Sequence, residues 1–424
     1  MKRWIAILLM ICLTAGAWVP GRVYASADTA STPDNDSASD SSAAESGAAA
    51  QEGSQGAPGN GTVDLGITAT ACVLMEASTG TVLYEKNADE QLSPASITKI
   101  MTLILIFEAL DEGRISLQDE VTTSAYAKSM GGSQVFLEEG EKQTVETLIK
   151  CIVVASGNDA SVAMAEHISG SEQAFVDQMN QKAQALGMTN THFTDCCGLT
   201  ESADHYTSAR DVAIMSRELS VNHPQIHNYS TIWMEDITHV TNKGASQFTL
   251  ANTNKLLKQY DGCTGLKTGS TSLAKYCLSA TAQRNDLELI AVVMAAPDYK
   301  VRFSEAASLL NYGFANCSVY KDTQPEPLAD VPVKNGVEGM VSCGYEGEFS
   351  YLSTTGESFE NITKEAHINP EVAAPLAAGD IIGSMDYFLN GEKIGSINIV
   401  ATEDVAEAGY LDYLKKIGLG LLVG

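Results

Sequence analysis

The chain has 424 residues, 26 Lys plus Arg against 53 Asp plus Glu, and a formal net charge of −27. That balance excludes a nucleic-acid binder, because phosphate contacts need a basic surface. The seven His show no HExxH-like spacing and the nine Cys are scattered without a CxxC pair, so no metal, cofactor or disulfide framework is implied.

Met1-Lys2-Arg3, an apolar run over residues 4–19 and Ala25-Ser26-Ala27 together read as a secretory signal peptide over residues 1–27. The run is short for a bilayer span, and Cys12 lies within it outside any lipobox context. Residues 28–64 are mostly Ala, Ser, Gly, Asp and Glu, with no Lys or Arg and almost no large apolar residue. Such a segment buries too little surface to offset its ordering entropy, and it reads as a disordered acidic linker. The expected location is therefore outside the cytoplasmic membrane. The remaining length, roughly 360 residues, predicts two domains.

Ser93-Pro94-Ala95-Ser96-Ile97-Thr98-Lys99 leads into a run, residues 100–110, that is apolar nearly all round. Pro94 favours a helix start just after it, and the run marks that helix as buried. Ser96 and Lys99, three apart, then share one face. Burial disfavours a charged ammonium, and a neutral amine beside a hydroxyl is a general base beside a nucleophile. A Ser-x-x-Lys match alone is weak, since about one or two arise by chance in a chain of this length.

Residues 145–154 read as a helix that stops at Ala155-Ser156-Gly157-Asn158, with a second helix from Asp159. Ser156 and Asn158 then lie on a turn between helices, where a hydroxyl and an amide can relay a proton and hold a substrate amide. Two other Ser-x-Asn triplets, Ser220-Val221-Asn222 and Ser396-Ile397-Asn398, read as a surface loop and a strand. Lys267-Thr268-Gly269 opens onto a segment, residues 270–282, that reads as one strand of a hairpin, with Arg284-Asn285-Asp286 as the turn and residues 287–295 as the partner. Gly269 lets a ligand backbone lie close, Lys267 offers charge to a carboxylate and Thr268 a hydrogen bond.

Ser-x-x-Lys, Ser-x-Asn and Lys-Thr-Gly in that order resemble the motif set of active-site-serine penicillin-interacting enzymes. Gly131-Gly132-Ser133-Gln134-Val135-Phe136-Leu137, Asn252-Thr253-Asn254-Lys255-Leu256-Leu257, Asp261-Gly262-Cys263-Thr264-Gly265-Leu266 and Tyr206-Thr207-Ser208-Ala209-Arg210-Asp211 extend the resemblance. From about Ala69 to the end the chain is similar to the low-molecular-mass penicillin-binding proteins, the D-alanyl-D-alanine carboxypeptidase family (serine peptidase family S11), including sporulation-associated members. The resemblance implies a penicillin-binding protein/serine β-lactamase-like transpeptidase domain of α+β or α/β class, an antiparallel sheet with helices, followed by a small all-β domain.

The implied roles follow. Ser96 attacks the carbonyl of the penultimate D-Ala of a peptidoglycan stem and Lys99 takes its proton. Ser156 and Asn158 assist proton transfer and placement. Lys267 and Thr268, beside Gly269, bind the terminal carboxylate, with Arg302 supporting that end. The N–H groups of Ser96 and Ser270 form the oxyanion hole, and β-lactam antibiotics acylate Ser96. Gly157, Ser270 and Thr253 stand where some relatives carry another residue, His and Arg respectively, and none of these removes a role. Rival readings are a β-lactamase, for which no Glu-x-x-x-Asn element follows Asn158, and a non-catalytic wall-binding protein.

The expected organisation is the catalytic domain over residues 65–322, a C-terminal β domain over 323–402 and an amphipathic tail over 403–424. Residues 331–333, 347–352 and 385–389 read as short strands, and Asn390-Gly391 as a hairpin turn before a strand over 393–401. Tyr410, Leu411, Leu414, Ile417 and Leu421 recur at near-helical spacing. In the family such a tail lies on the membrane surface, although Glu403, Asp404, Glu407 and Asp412 repel anionic lipid.

Overall fold

The computed structural model describes residues 63–423. The expected signal peptide and nearly all of the acidic linker lie outside the described residues.

The body is built on a five-stranded antiparallel sheet of β1 (Ala71–Glu76), β2 (Val82–Lys86), β5 (Cys263–Thr271), β6 (Lys275–Arg284) and β7 (Leu287–Ala296). Strands β3 (Met234–Thr241) and β4 (Gly244–Ala251) form a separate hairpin. The sheet order is β2-β1-β7-β6-β5, which leaves β5 as an edge. A strand buried on both faces reads as an unbroken apolar run. In β7, Ile290, Val292 and Met294 face one core while Leu289, Ala291 and Val293 face another.

The first core holds α1 (Lys99–Asp111), α2 (Val145–Val154), α3 (Asn158–Ser169) and α4 (Ala209–Arg217). Helix α1 has no solvent stripe because it is enclosed: Ile100, Met101, Leu103, Ile104, Ile106 and Phe107 are all buried. The second core lies under α5 (Val301–Asn316), through Phe303, Leu309 and Leu310. Glu305 on α5 is buried and accepts bonds from the Thr68 amide (2.5 Å), the Thr68 hydroxyl (2.6 Å) and the Ala69 amide (3.1 Å). That carboxylate ties the chain entering β1 to the helix across the sheet.

Two local expectations change. Pro94 is followed by a 3₁₀ turn, Ala95–Thr98, and the α-helix proper begins at Lys99. Tight 3₁₀ turns are frequent at helix starts. Residues 270–282 are not one strand: the chain reverses at residues 272–274, so Lys267-Thr268-Gly269 lies within β5 and pairs with β6, opposite Ser279, Leu278 and Cys277. The reversal carries no Pro-Gly or Asn-Gly signal, which hid it.

Beyond α5, β8 (Ser318–Lys321) pairs with β9 (Ser350–Ser353), and β10 (Ile381–Leu389) with β11 (Glu392–Ala401). Asn390 and Gly391 both adopt positive φ, 52° and 87°, as a two-residue hairpin turn requires. This all-β part has its own core around Val341, Ile382, Met385, Tyr387 and Ile399. Helix α6 (Tyr410–Val423) closes the described chain and exposes Tyr410, Leu411, Leu414 and Ile417. Among the described residues, no helix is long and apolar enough to cross a membrane.

Glu305→Ala leaves the buried Ala69 amide unpaired and frees the Thr68 donors, which lie nearer the surface. The expected loss is about 2–3 kcal/mol, read as a lower urea midpoint with an unchanged slope.

Candidate active site

The 3₁₀ turn after Pro94 sets the partly exposed Ser96 directly beside the first residue of α1. Lys99 is completely buried there. Its Nζ lies 3.0 Å from Ser96 Oγ, 2.6 Å from Asn158 Oδ1 and 2.7 Å from the Cys197 carbonyl. Burial pushes the Lys99 amine below the ordinary lysine value, against the opposing pull of the Cys197 and Cys196 thiols and the Asp195 and Asp159 carboxylates. A neutral amine has two N–H groups and one lone pair. Asn158 Oδ1 and the Cys197 carbonyl can only accept, so they take both hydrogens. The lone pair is left for the Ser96 hydroxyl proton.

Helix α2 ends at Val154, and Ser156 turns the chain with φ of 62°, a strained conformation for a residue with a side chain. Asn158 is the first residue of α3. Its amide N–H donates to the Ser133 carbonyl at 2.8 Å, and its Nδ2 to the Gly131 carbonyl at 2.8 Å. One Nδ2 hydrogen remains for a ligand carbonyl. The neighbouring Asp159 carboxylate receives the amides of Val135 and Leu137, pinning the same loop.

Strand β5 forms the other wall. Lys267 is buried and its Nζ donates to Ser156 Oγ at 2.9 Å and to the Thr268 carbonyl at 3.0 Å. Burial, then the charges of Lys99 and Arg302, push its amine well below the ordinary value. Thr268 Oγ1 lies 2.7 Å from Thr253 Oγ1, and Ser270 is exposed at the open edge. Gly269 packs against the nucleophile turn: a Cβ there would sit 2.7 Å from the Pro94 carbonyl oxygen and 3.1 Å from the Ser96 amide nitrogen. Arg302, on α5, donates from one guanidinium nitrogen to the carbonyls of Gly269 (3.2 Å) and Cys277 (3.3 Å). It braces the strand beneath the site.

All nine site residues read from the motifs thus belong to one neighbourhood. Of the other triplets, Ser396-Ile397-Asn398 is in β11 as expected. Ser220-Val221-Asn222 is not a surface loop: it belongs to a π-helical turn, Glu218–Asn222, with Ser220 buried.

Sequence reasoning missed the floor of the site. The Cys197 carbonyl that holds Lys99 belongs to a loop whose amides at Cys197, Gly198 and Thr200 are gathered by the Asp195 carboxylate. Burial would raise the Asp195 carboxyl; nearby His205 and these amides bring it below the usual range. Gly198 is obligatory, because at φ of 72° a Cβ would fall 1.8 Å from the Ala95 carbonyl oxygen. His205 Nδ1 accepts from the Thr194 amide at 3.0 Å, which leaves Nε2–H to donate to Thr98 Oγ1 at 2.8 Å. Thr98 in turn donates to the Ala95 carbonyl, so a buried chain of bonds holds the turn that carries Ser96. His205 is 107 residues from Thr98, and no spacing pattern announces the pair.

Chemically, the arrangement offers a nucleophilic hydroxyl beside a buried amine of lowered proton affinity, a second hydroxyl held by a second amine, and a strand edge with hydroxyl and amine groups for a carboxylate. This is machinery for acyl transfer from a substrate with a terminal carboxylate.

The family profile described as D-alanyl-D-alanine carboxypeptidase matches residues 58–298, and one described as the C-terminal domain of penicillin-binding protein 5 matches residues 314–407. The D-alanyl-D-alanine carboxypeptidase DacF of Bacillus subtilis (strain 168) is 43% identical over 361 residues, 84% of this chain and 91% of its own. DacA of Haemophilus influenzae, with the same description, is 36% identical over 349 residues, 81% of this chain and 86% of its own. Among solved structures, penicillin-binding protein 5 from Haemophilus influenzae superposes with a TM-score of 0.66 at 35% identity, covering 80% of this chain and 98% of that one.

Gly269→Ala must push β5 off the turn that carries Ser96. Misplacement on the order of 1 Å costs about 10²-fold in rate. The expected outcome is a loss of that size in the modification of Ser96 by an acylating serine reagent, in a variant that still folds but melts at a lower temperature because the displaced atoms are backbone.

Proposed function

The chain belongs to the D-alanyl-D-alanine carboxypeptidase family, a penicillin-binding family that acts on peptidoglycan, and from that premise we propose that it removes the terminal D-Ala of pentapeptide stems through an acyl-enzyme on Ser96. The observation that carries this reading is the contact of the buried Lys99 amine with Ser96 Oγ at 3.0 Å while its remaining partners can only accept.

The steps follow from the groups present. Ser96 Oγ attacks the carbonyl carbon of the penultimate D-Ala as its proton passes to Lys99 Nζ. The oxyanion is met by the amides of Ser96 and Ser270, donors of a kind whose removal costs about 3–4 kcal/mol. The terminal carboxylate meets Lys267 and Thr268. Ser156, polarised by Lys267, hands a proton to the departing D-Ala nitrogen and recovers one from Lys99. The C–N bond breaks, D-Ala leaves, and the acyl group remains on Ser96. Water then attacks the ester with Lys99 again as base, releasing the shortened stem and restoring the serine. A β-lactam offers the same carboxylate and a strained amide, and acylates Ser96.

The finer setting belongs to the same proposal. Export through residues 1–27 delivers the enzyme to its substrate outside the cytoplasmic membrane. The apolar side chains of α6 that face solvent support peripheral membrane contact for the tail. Tyr410 is 79% exposed, a cost with no return unless something covers it.

Ser96→Ala is expected to abolish D-Ala release from a pentapeptide and labelling by a fluorescent penicillin. Release at the parental rate would dismiss the nucleophile assignment. In the parent, the acylation rate should fall as pH drops, because protonating Lys99 removes the base. That acid limb should centre below about 10.4, the value of free lysine.

A further inference from the structure

The hydrolytic site does not use a second concavity beside it, a depression of about 300 Å3 lined by Phe136, His239, Thr241, Lys243, Gln247 and Phe248 among others. One wall is the loop that holds Asn158. Phe136 projects from it at φ of 63° with its side chain 65% exposed. A bulky residue in the left-handed region is strained, and an exposed ring recovers none of that cost by burial. The amides on either side, Val135 and Leu137, are locked to Asp159, so the surroundings impose the conformation.

The other wall is the β3–β4 hairpin, whose base runs into Thr253 and so to Thr268. Phe248 stands edge-on to Phe136, with centroids 5.9 Å apart at 72°, and to His239, 5.8 Å apart at 73°. His239 is only 7% exposed. Its Nδ1 lies 2.7 Å from Glu141 Oε1. The carboxylate oxygen accepts, so Nδ1 carries a hydrogen. The other ring nitrogen, Nε2, has no hydrogen-bond partner, although buried polar atoms are nearly always paired.

The lining selects a ligand chemistry. Aromatic edges and faces sit beside the Gln247 amide, the Thr241 hydroxyl and an unpaired ring nitrogen. The one carboxylate in the wall, Glu138, is already neutralised by Lys128 at 2.6 Å and Lys243 at 3.2 Å. A neutral ring with one apolar face and a rim of hydroxyls fits this, whereas an anion or a purely apolar side chain does not. An acetamido group adds an N–H and a carbonyl for the Thr241 hydroxyl and the Gln247 amide and a methyl for the Phe136–Phe248 corner. We propose that this depression binds an N-acetylated amino sugar of the peptidoglycan glycan strand, holding the strand while Ser96 works on a stem. The inference rests on the reading that the substrate is peptidoglycan.

The test titrates a peptide-free N-acetylglucosamine–N-acetylmuramic acid tetrasaccharide into the full chain. Binding is followed by calorimetry and by saturation transfer to the acetamido methyls. Binding is expected, with Kd raised about tenfold or more by Phe136→Ala and, independently, by Gln247→Ala. Melting temperatures verify that each variant is folded, and both altered residues lie on the surface. Failure of the parent to bind the sugar, or binding that neither substitution weakens, overturns the site. Displacement of the sugar by a free stem peptide also overturns it, because the depression would then belong to the peptide. Release of D-Ala by the parent from a free N-acylated pentapeptide is measured in parallel. If that release persists without sugar binding, only the sugar site fails; if release is absent, the carboxypeptidase reading itself fails.

Discussion

A lysine amine shut away from water organises the centre of this protein. Lys99 has no exposed surface, and its three polar neighbours come from three separate parts of the chain: the turn at Ser96, the start of α3 at Asn158 and the carbonyl of Cys197. An ammonium in such a place is costly unless its charge is fully met, so the proton leaves more readily than from free lysine. The low proton affinity that makes Lys99 useful as a base is a consequence of how tightly those three segments close around it. Glycine makes the closure possible. Gly198 lies against the Ala95 carbonyl and Gly269 against the Pro94 carbonyl, at distances no side chain permits.

The second buried amine adds to the first. Lys267 reaches Ser156 from the opposite wall, and burial, with the like charges that Lys99 and Arg302 can carry, pushes its amine well below the ordinary value. Like charges this close oppose each other, so protonating one amine disfavours protonating the other. A substrate carboxylate entering beside Lys267 favours its charged form. In that way substrate binding itself tunes the site. In a chain of net charge −27, the cleft nonetheless gathers Lys99, Lys267 and, beneath the strand, Arg302 where an anionic terminus docks.

Around this centre the polar supports are arranged in depth. Asp159 fixes the loop that fixes Asn158, Asp195 gathers the amides of the loop that presents Cys197, and the His205–Thr98–Ala95 chain stiffens the nucleophile turn. Each group acts on the reacting atoms through another residue. The cysteines here are packing and backbone: all eight in the described part are free, and burial raises the Cys277 thiol to about 11. The all-β part, with its separate core, contributes none of the groups named in the site.

The amino-acid order alone determined the chemical inventory: which hydroxyls, amines and amides are present, in what succession, and that the helix behind Ser96 is buried. Those features are local, set by periodicity and by residues three apart on one turn. It also determined the Asn390-Gly391 hairpin, because that dipeptide tolerates positive φ as few others do. It did not disclose the reversal after β5, which lacks a turn dipeptide, nor the π-helical setting of Ser220. Only the tertiary structure decided which groups close around Lys99, that Arg302 supports a strand from below, and that Cys197, Asp195 and His205 belong to the site. Burial and hydrogen bonding depend on distances across segments some 60 to 110 residues apart. No local pattern encodes such distances, because they arise only when the whole core closes.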